Sequence, residues 1–188
     1  MSTIATSRMT SRQFMELPED PHEIRRELVD GEIVVSPSPS FIHGRVALKL
    51  AQIIGNHCAA HGLGELSSDV DNVVSRSTVR RPDLLYFSAA RLHLAIAKKT
   101  IQGPPDLCVE FISPGSERID RVEKFAEYAA YGVANYWIID PIARTAEAYV
   151  LTDGKYAPAG SGSGEEGVRF PPFLDLEIPL GKLWLPRE

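Results

Sequence analysis

Two short runs nearly free of polar residues, 107–112 (LCVEFI) and 136–139 (YWII), flank a stretch, 119–131, whose apolar residues recur at helical spacing. Each run is long enough for a strand and too short for a helix. A strand without polar alternation is buried on both faces, so the sheet that holds these two needs cover. The intervening helix, stopped at Gly132, supplies part of it. Asp140-Pro141 ends the second strand. This order of elements predicts an α/β fold, with a mixed central sheet flanked by helices.

The remaining segments extend that plan. Thr10 or Ser11 is placed to cap a short helix through Leu17, which Pro18 ends. Residues 25–35 (RRELVDGEIVV) read as two strands hinged at Asp30-Gly31, a hairpin dipeptide. The Ser36-Pro37-Ser38-Pro39-Ser40 loop forbids helix until about Phe41. From 42 to 60 the spacing of Val46, Leu50, Ile53, Ile54 and His57 is helical, and Gly62 and Gly64 supply stop signals. Residues 66–74 and 79–87 are expected as two strands around a polar turn, and 89–98 as a helix. Residues 146–151 and 155–159 flank a second hairpin dipeptide, Asp153-Gly154. The run 160–164 (GSGSG) is expected as a flexible loop, with short strands in the tail. Residues 1–9 are expected as a flexible leader and 10–188 as a single domain.

Composition excludes several classes. With 188 residues, 44% of them hydrophobic and 24% charged, the chain is neither disordered nor fibrous. Its 25 acidic and 20 basic residues give a net charge of −5, so any phosphate-facing surface must be a local basic patch. Two cysteines, Cys58 and Cys108, sit in apolar contexts and are expected as buried free thiols. No run approaches the roughly 18 apolar residues of a membrane span. The polar first ten residues lack a signal core. A cytoplasmic protein with no membrane partner is expected.

Chemistry concentrates between Asp83 and Tyr136. Arg81-Pro82-Asp83 leads into an apolar strand, and Glu110 stands in the middle of another. Buried acids are costly without partners. Two on adjacent strands suggest a shared hard cation, magnesium or manganese. The residues equally allow Asp83 to cap a turn and Glu110 to pair with an arginine. In the helix that follows, the apolar stripe is Ile119, Val122, Phe125, Ala126 and Ala129. Asp120, Lys124, Tyr128 and Tyr131 fall on the opposite face. That face is either solvated, with an Asp120–Lys124 pair, or the lining of a cleft.

Asp83 after Pro82, Glu110 in a strand, Ser113-Pro114, and a helix with Asp120, Lys124 and Tyr128 resemble the Uma-type family of the PD-(D/E)XK nuclease superfamily. So do Tyr136-Trp137-Ile138-Ile139-Asp140-Pro141, the upstream Glu27-Leu28-Val29-Asp30-Gly31-Glu32, and the Ser36-Pro37 loop before His43. The resemblance covers roughly residues 10 to 185. It implies a restriction-endonuclease-like fold and metal-dependent endonucleolytic hydrolysis of nucleic acid, with DNA as substrate and magnesium or manganese as cofactor. The superfamily's third strand reads acid, any residue, lysine; here the triplet is Glu110-Phe111-Ile112. Strand alternation puts Ile112 on the face of Glu110, where the lysine is missing. The resemblance implies that Lys124 of the next helix replaces it.

On that resemblance Asp83, Glu110 and the carbonyl of Phe111 would hold the metal, and Lys124 would orient water or neutralise developing charge. Glu27 would be an additional acid for a second ion or an indirectly held water. Asp120 would orient Lys124, and Tyr128 would contact phosphate or pack beneath the lysine. His43 either belongs to the site or simply opens its helix. Paired cuts across a duplex would favour a homodimer. A separate targeting partner is compatible with a chain that has no room for a reader domain. The competing reading is a nuclease-fold interaction module without catalysis, since fold alone does not deliver function. His57 and His61, four residues apart, have a metal-ligand spacing but are expected to be surface or capping groups. Asp69 and Asp71 read as a solvent face of a strand. Arg76, Arg80 and Arg81 read as a phosphate-facing patch or, by default, a solvated cluster.

Overall fold

The computed structural model describes residues 8–18, 25–96, 101 and 103–186. The leader to residue 7 and the end of the expected 89–98 helix lie outside them. Thr10 caps α1 (Ser11–Met15) in a reciprocal capping box with Gln13. β1 (Arg26–Val29) and β2 (Glu32–Val35) pair through Asp30 and Gly31, at φ 48° and 81°, the left-handed conformation that a tight hairpin needs. Ser40 accepts the His43 N–H and opens α2 (Phe41–His61), and Gly62 closes it in a left-handed cap.

The two strands expected at 66–74 and 79–87 each split in two: β3 (Gly64–Ser67), β4 (Asn72–Ser75), β5 (Thr78–Arg80) and β6 (Leu84–Ser88). Asp69 turns the chain at φ 56°, and Pro82 offers no ladder N–H between β5 and β6. β4 and β5 therefore join a small sheet of order β2-β1-β5-β4, while β3 and β6 join the large one. That break leaves Asp83 at the head of β6. Asp69 and Asp71 lie in the bend, not on a strand face.

α3 (His93–Ile96) is a single turn. β7 (Leu107–Phe111) leads to a π-helical turn, Ile119–Lys124, that continues as α4 (Phe125–Tyr131) and returns to β8 (Asn135–Asp140). β7 and β8 are parallel, which requires this crossover. β9 (Thr145–Thr152), β10 (Lys155–Ser163), β11 (Gly167–Val168) and β12 (Ile178–Pro179) complete the chain's strands among the described residues. The large sheet runs β10-β9-β8-β7-β6-β3.

Strand alternation divides the core. Leu107, Val109, Phe111, Trp137 and Ile139 pack with Val46, Leu50, Ile54 and Cys58 of α2 and with Phe170 and Phe173. Cys108, Ile112, Tyr136 and Ile138 face Tyr128 of α4 on the other side. Cover on both faces accounts for the unbroken apolar runs. Both cysteines are free and buried. No helix among the described residues is long and apolar enough to cross a membrane.

The GSGSG run is strand, not loop: residues 160–163 extend β10 against β9. Its glycines admit the C-terminal segment, because a Cβ on Gly160 would sit 3.0 Å from the Phe170 ring and one on Gly162 would overlap Val168 Cγ1. Gly162→Ala is expected to destabilise the fold by about 1–3 kcal/mol through overpacking. An unchanged urea midpoint would contradict that contact.

Candidate active site

The antiparallel register Leu84↔Val109 brings Asp83 beside Glu110. Asp83 Oδ2 accepts the Phe111 backbone N–H at 2.9 Å. Its Oδ1 takes Arg25 Nη1 at 3.1 Å and lies 3.4 Å from His43 Nε2. Burial, the largest influence, pushes this carboxyl up. The hydrogen bond and charge of His43, then Lys124 and the Phe111 N–H, outweigh it and hold Asp83 well below the usual carboxylate range.

Glu110 points to the α4 side of the sheet, as its alternation with Cys108 and Ile112 requires. Lys124 Nζ stands 2.8 Å from Glu110 Oε2 and 3.1 Å from Asp120 Oδ1. Tyr128 donates its hydroxyl to Glu110 Oε1 at 2.9 Å. Burial drives the Glu110 carboxyl up; Lys124 opposes that shift, and Asp83 and Asp120 reinforce it. Burial works against the Lys124 charge, but Glu110, Glu27, Asp120 and Asp83 together raise its pKa, so the ammonium stays charged. Isoleucine thus fills the position of the missing strand lysine, and an ammonium from the helix reaches the same carboxylate.

Of the two alternatives for the polar face the structure takes the covered one, while Phe125 and Ala129 of the apolar stripe still pack against the core. Val122, assigned to the apolar stripe, is 58% exposed and Ala126 is exposed as well, whereas Asp120, Lys124 and Tyr128 are buried. A polar side chain is tolerated inside when its hydrogen bonds are met. Here Glu110 meets those of Lys124 and Tyr128, and Lys124 meets the Asp120 carboxylate at 3.1 Å. A π turn at this point is consistent with a site that fixes its side chains at some cost to the helix. Tyr128 holds Glu110 rather than facing open solvent.

Glu27 reaches the cluster from β1, with its oxygens occupied by Arg81 N–H (2.7 Å) and Arg80 Nη1 (3.2 Å). Arg80 is 2% exposed, not solvated, and binds Glu127 of α4 through Nε and Nη2 at 2.7 and 2.8 Å. Arg81 pairs with Asp71 at 2.9 Å and Asp69 at 3.6 Å. Sequence reasoning missed Arg25 and Glu127 and placed Arg80 in solvent. The one available signal was alternation, which sets Arg25 and Glu27 on one side of the chain entering β1.

A cleft of about 630 Å³ opens on Asp83, lined also by Arg25, Ser36, Pro39, His43 and Arg81. His57 and His61 lie elsewhere: His61 Nδ1 contacts the His57 carbonyl at 2.9 Å, and His57 Nε2 is 3.4 Å from Asp175. Among the described residues no three His, Cys, Asp or Glu side chains are grouped to cage a metal. Asp83 and Glu110, across from each other on adjacent strands, offer only carboxylate oxygens as donors. That chemistry fits magnesium, which is bound by one or two carboxylates together with water and phosphate oxygens.

Over residues 11–181 the chain matches the Uma2 family, described as "Putative restriction endonuclease". No curated protein matches it. Among solved structures it is similar to "a putative nuclease belonging to DUF820 from Anabaena variabilis ATCC 29413". The TM-score is 0.78 at 19% identity, over 93% of this chain and 97% of that one, a likeness of fold.

Proposed function

The chain belongs to the Uma2 family of restriction-endonuclease-like proteins, and we propose that it is a metal-dependent endonuclease hydrolysing phosphodiester bonds, with DNA as substrate. One observation carries the reading. Asp83 and Glu110 stand across from each other on adjacent strands, and Lys124 Nζ of the following helix lies 2.8 Å from Glu110 Oε2.

Asp83, Glu110 and the Phe111 carbonyl would hold magnesium or manganese, which when bound acidifies water and polarises phosphate. The protein's own groups do the rest. Lys124, fixed between Glu110 and Asp120, offsets negative charge as water adds to phosphorus and the leaving oxygen departs. Asp120 and Tyr128 are positioning residues: one holds the ammonium, the other the Glu110 carboxylate. Glu27 acts at one remove, by fixing Arg80 and the start of β6.

The test is cleavage of supercoiled, linear and single-stranded DNA with magnesium or manganese, against a chelator. Products that vanish with chelator support the reading. In calorimetry, magnesium or manganese heat is expected for the wild type and absent in Glu110→Ala. No cleavage and no heat would favour the interaction module.

A further inference from the structure

The cleft beside Asp83 has a cationic wall that the ion pairs of the site leave incompletely used. Arg25 gives Nη1 to Asp83 Oδ1 and Nη2 to the Arg81 carbonyl, while its Nε is buried without a partner. His43 approaches the same carboxylate oxygen through Nε2, and its Nδ1 is likewise buried and unpartnered. Both line the cleft, whereas Glu110 and Lys124, which are buried, do not. Arg81, the other cleft arginine, is tied to Asp71 and Asp69. An anion entering from this side therefore meets Arg25 and His43 before it meets Lys124.

Turned from Asp83 Oδ1 and the Arg81 carbonyl, the Arg25 guanidinium would offer the same planar donor edge to a phosphate oxygen. Gly44 opens the facing turn of α2, where a Cβ would meet nothing within 4 Å. We propose that Arg25, assisted by His43, grips a backbone phosphate of the nucleic acid in this cleft and so seats the neighbouring phosphodiester at Asp83. The assignment rests on the nuclease reading and adds the residue that binds substrate without any metal.

The test is equilibrium binding of labelled duplex and single-stranded DNA of several sequences, by anisotropy in chelator, across a salt series. Wild type, Arg25→Met and Arg25→Lys are compared, with melting curves to confirm folding. Arg25→Met is expected to weaken binding about 10- to 100-fold on every sequence. The slope of log K against log salt on duplex should flatten by about 0.9, the signature of one lost phosphate contact. Arg25→Lys should keep the slope and lose part of the affinity, which serves if the methionine variant does not fold. Wild-type affinity and slope in a folded Arg25→Met, or full affinity in Arg25→Lys, would overturn the proposal while wild-type cleavage left the nuclease reading standing. A wild type that neither binds nor cleaves any nucleic acid would overturn both.

Discussion

Replacing Lys124 with methionine is expected to slow metal-dependent DNA cleavage by about 10²–10³-fold, the usual consequence of deleting one preorganised electrostatic group. Methionine keeps most of the buried stem and removes only the charge. Lys124 is 7% exposed and the ammonium touches both Glu110 and Asp120, so no solvent cation takes its place. Glu110 can compensate in the variant by taking up a proton while Tyr128 still holds Oε1. The fold should therefore survive near pH 5. Losing Lys124 removes the neighbour that opposes Glu110's upward shift. A carboxyl raised in the folded state contributes stability below its unfolded pKa, about 4.3, and loses it as pH rises toward the folded value. In chelator, the stability deficit of Lys124→Met relative to wild type should thus widen from pH 5 to pH 8. A folded variant that cleaves at the wild-type rate would remove Lys124 from the mechanism.

That lysine also marks where the sequence was legible and where it was not. The strand–helix–strand unit could be read because β7 and β8 are covered on both faces and carry no polar alternation. Whether the polar face of the helix is solvated or covered could not. A helical wheel assumes that apolar side chains point inward, and here Asp120, Lys124 and Tyr128 are inside because Glu110 satisfies two of them. The π turn that delivers them has no composition signal of its own. The pairings of Arg25 and Arg80 were invisible for a different reason: their partners Asp83 and Glu127 are 58 and 47 residues away. Pairings at such separation follow from topology, not from local pattern. The glycine-rich strand end was missed on the same ground, since its cause is the packing of Phe170 and Val168 from beyond it.

Arg80→Met should be among the most costly single substitutions for stability. It joins Glu27 of the small sheet to Glu127 of α4, with Glu123 at 3.7 Å. Burial opposes its charge, but the Glu127 hydrogen bonds and the nearby carboxylates raise its pKa above the arginine value. Arg80→Met leaves Glu27 buried with the Arg81 N–H as its remaining donor among the described residues. Breaking one side of such a pair typically costs about 3–5 kcal/mol. For a domain of this size that is a fall in Tm of about 6–20 °C. Glu127 is partly exposed and can be solvated, so the deficit should come mainly from Glu27. Arg80→Met combined with Glu27→Gln should then recover a large part of it. Because α4 continues the π turn that carries Lys124, cleavage by Arg80→Met should also fall at temperatures where the fold persists. A loss below about 1 kcal/mol in urea denaturation would place the pair among weak surface bridges. The small sheet would then need another explanation for its hold on the helix.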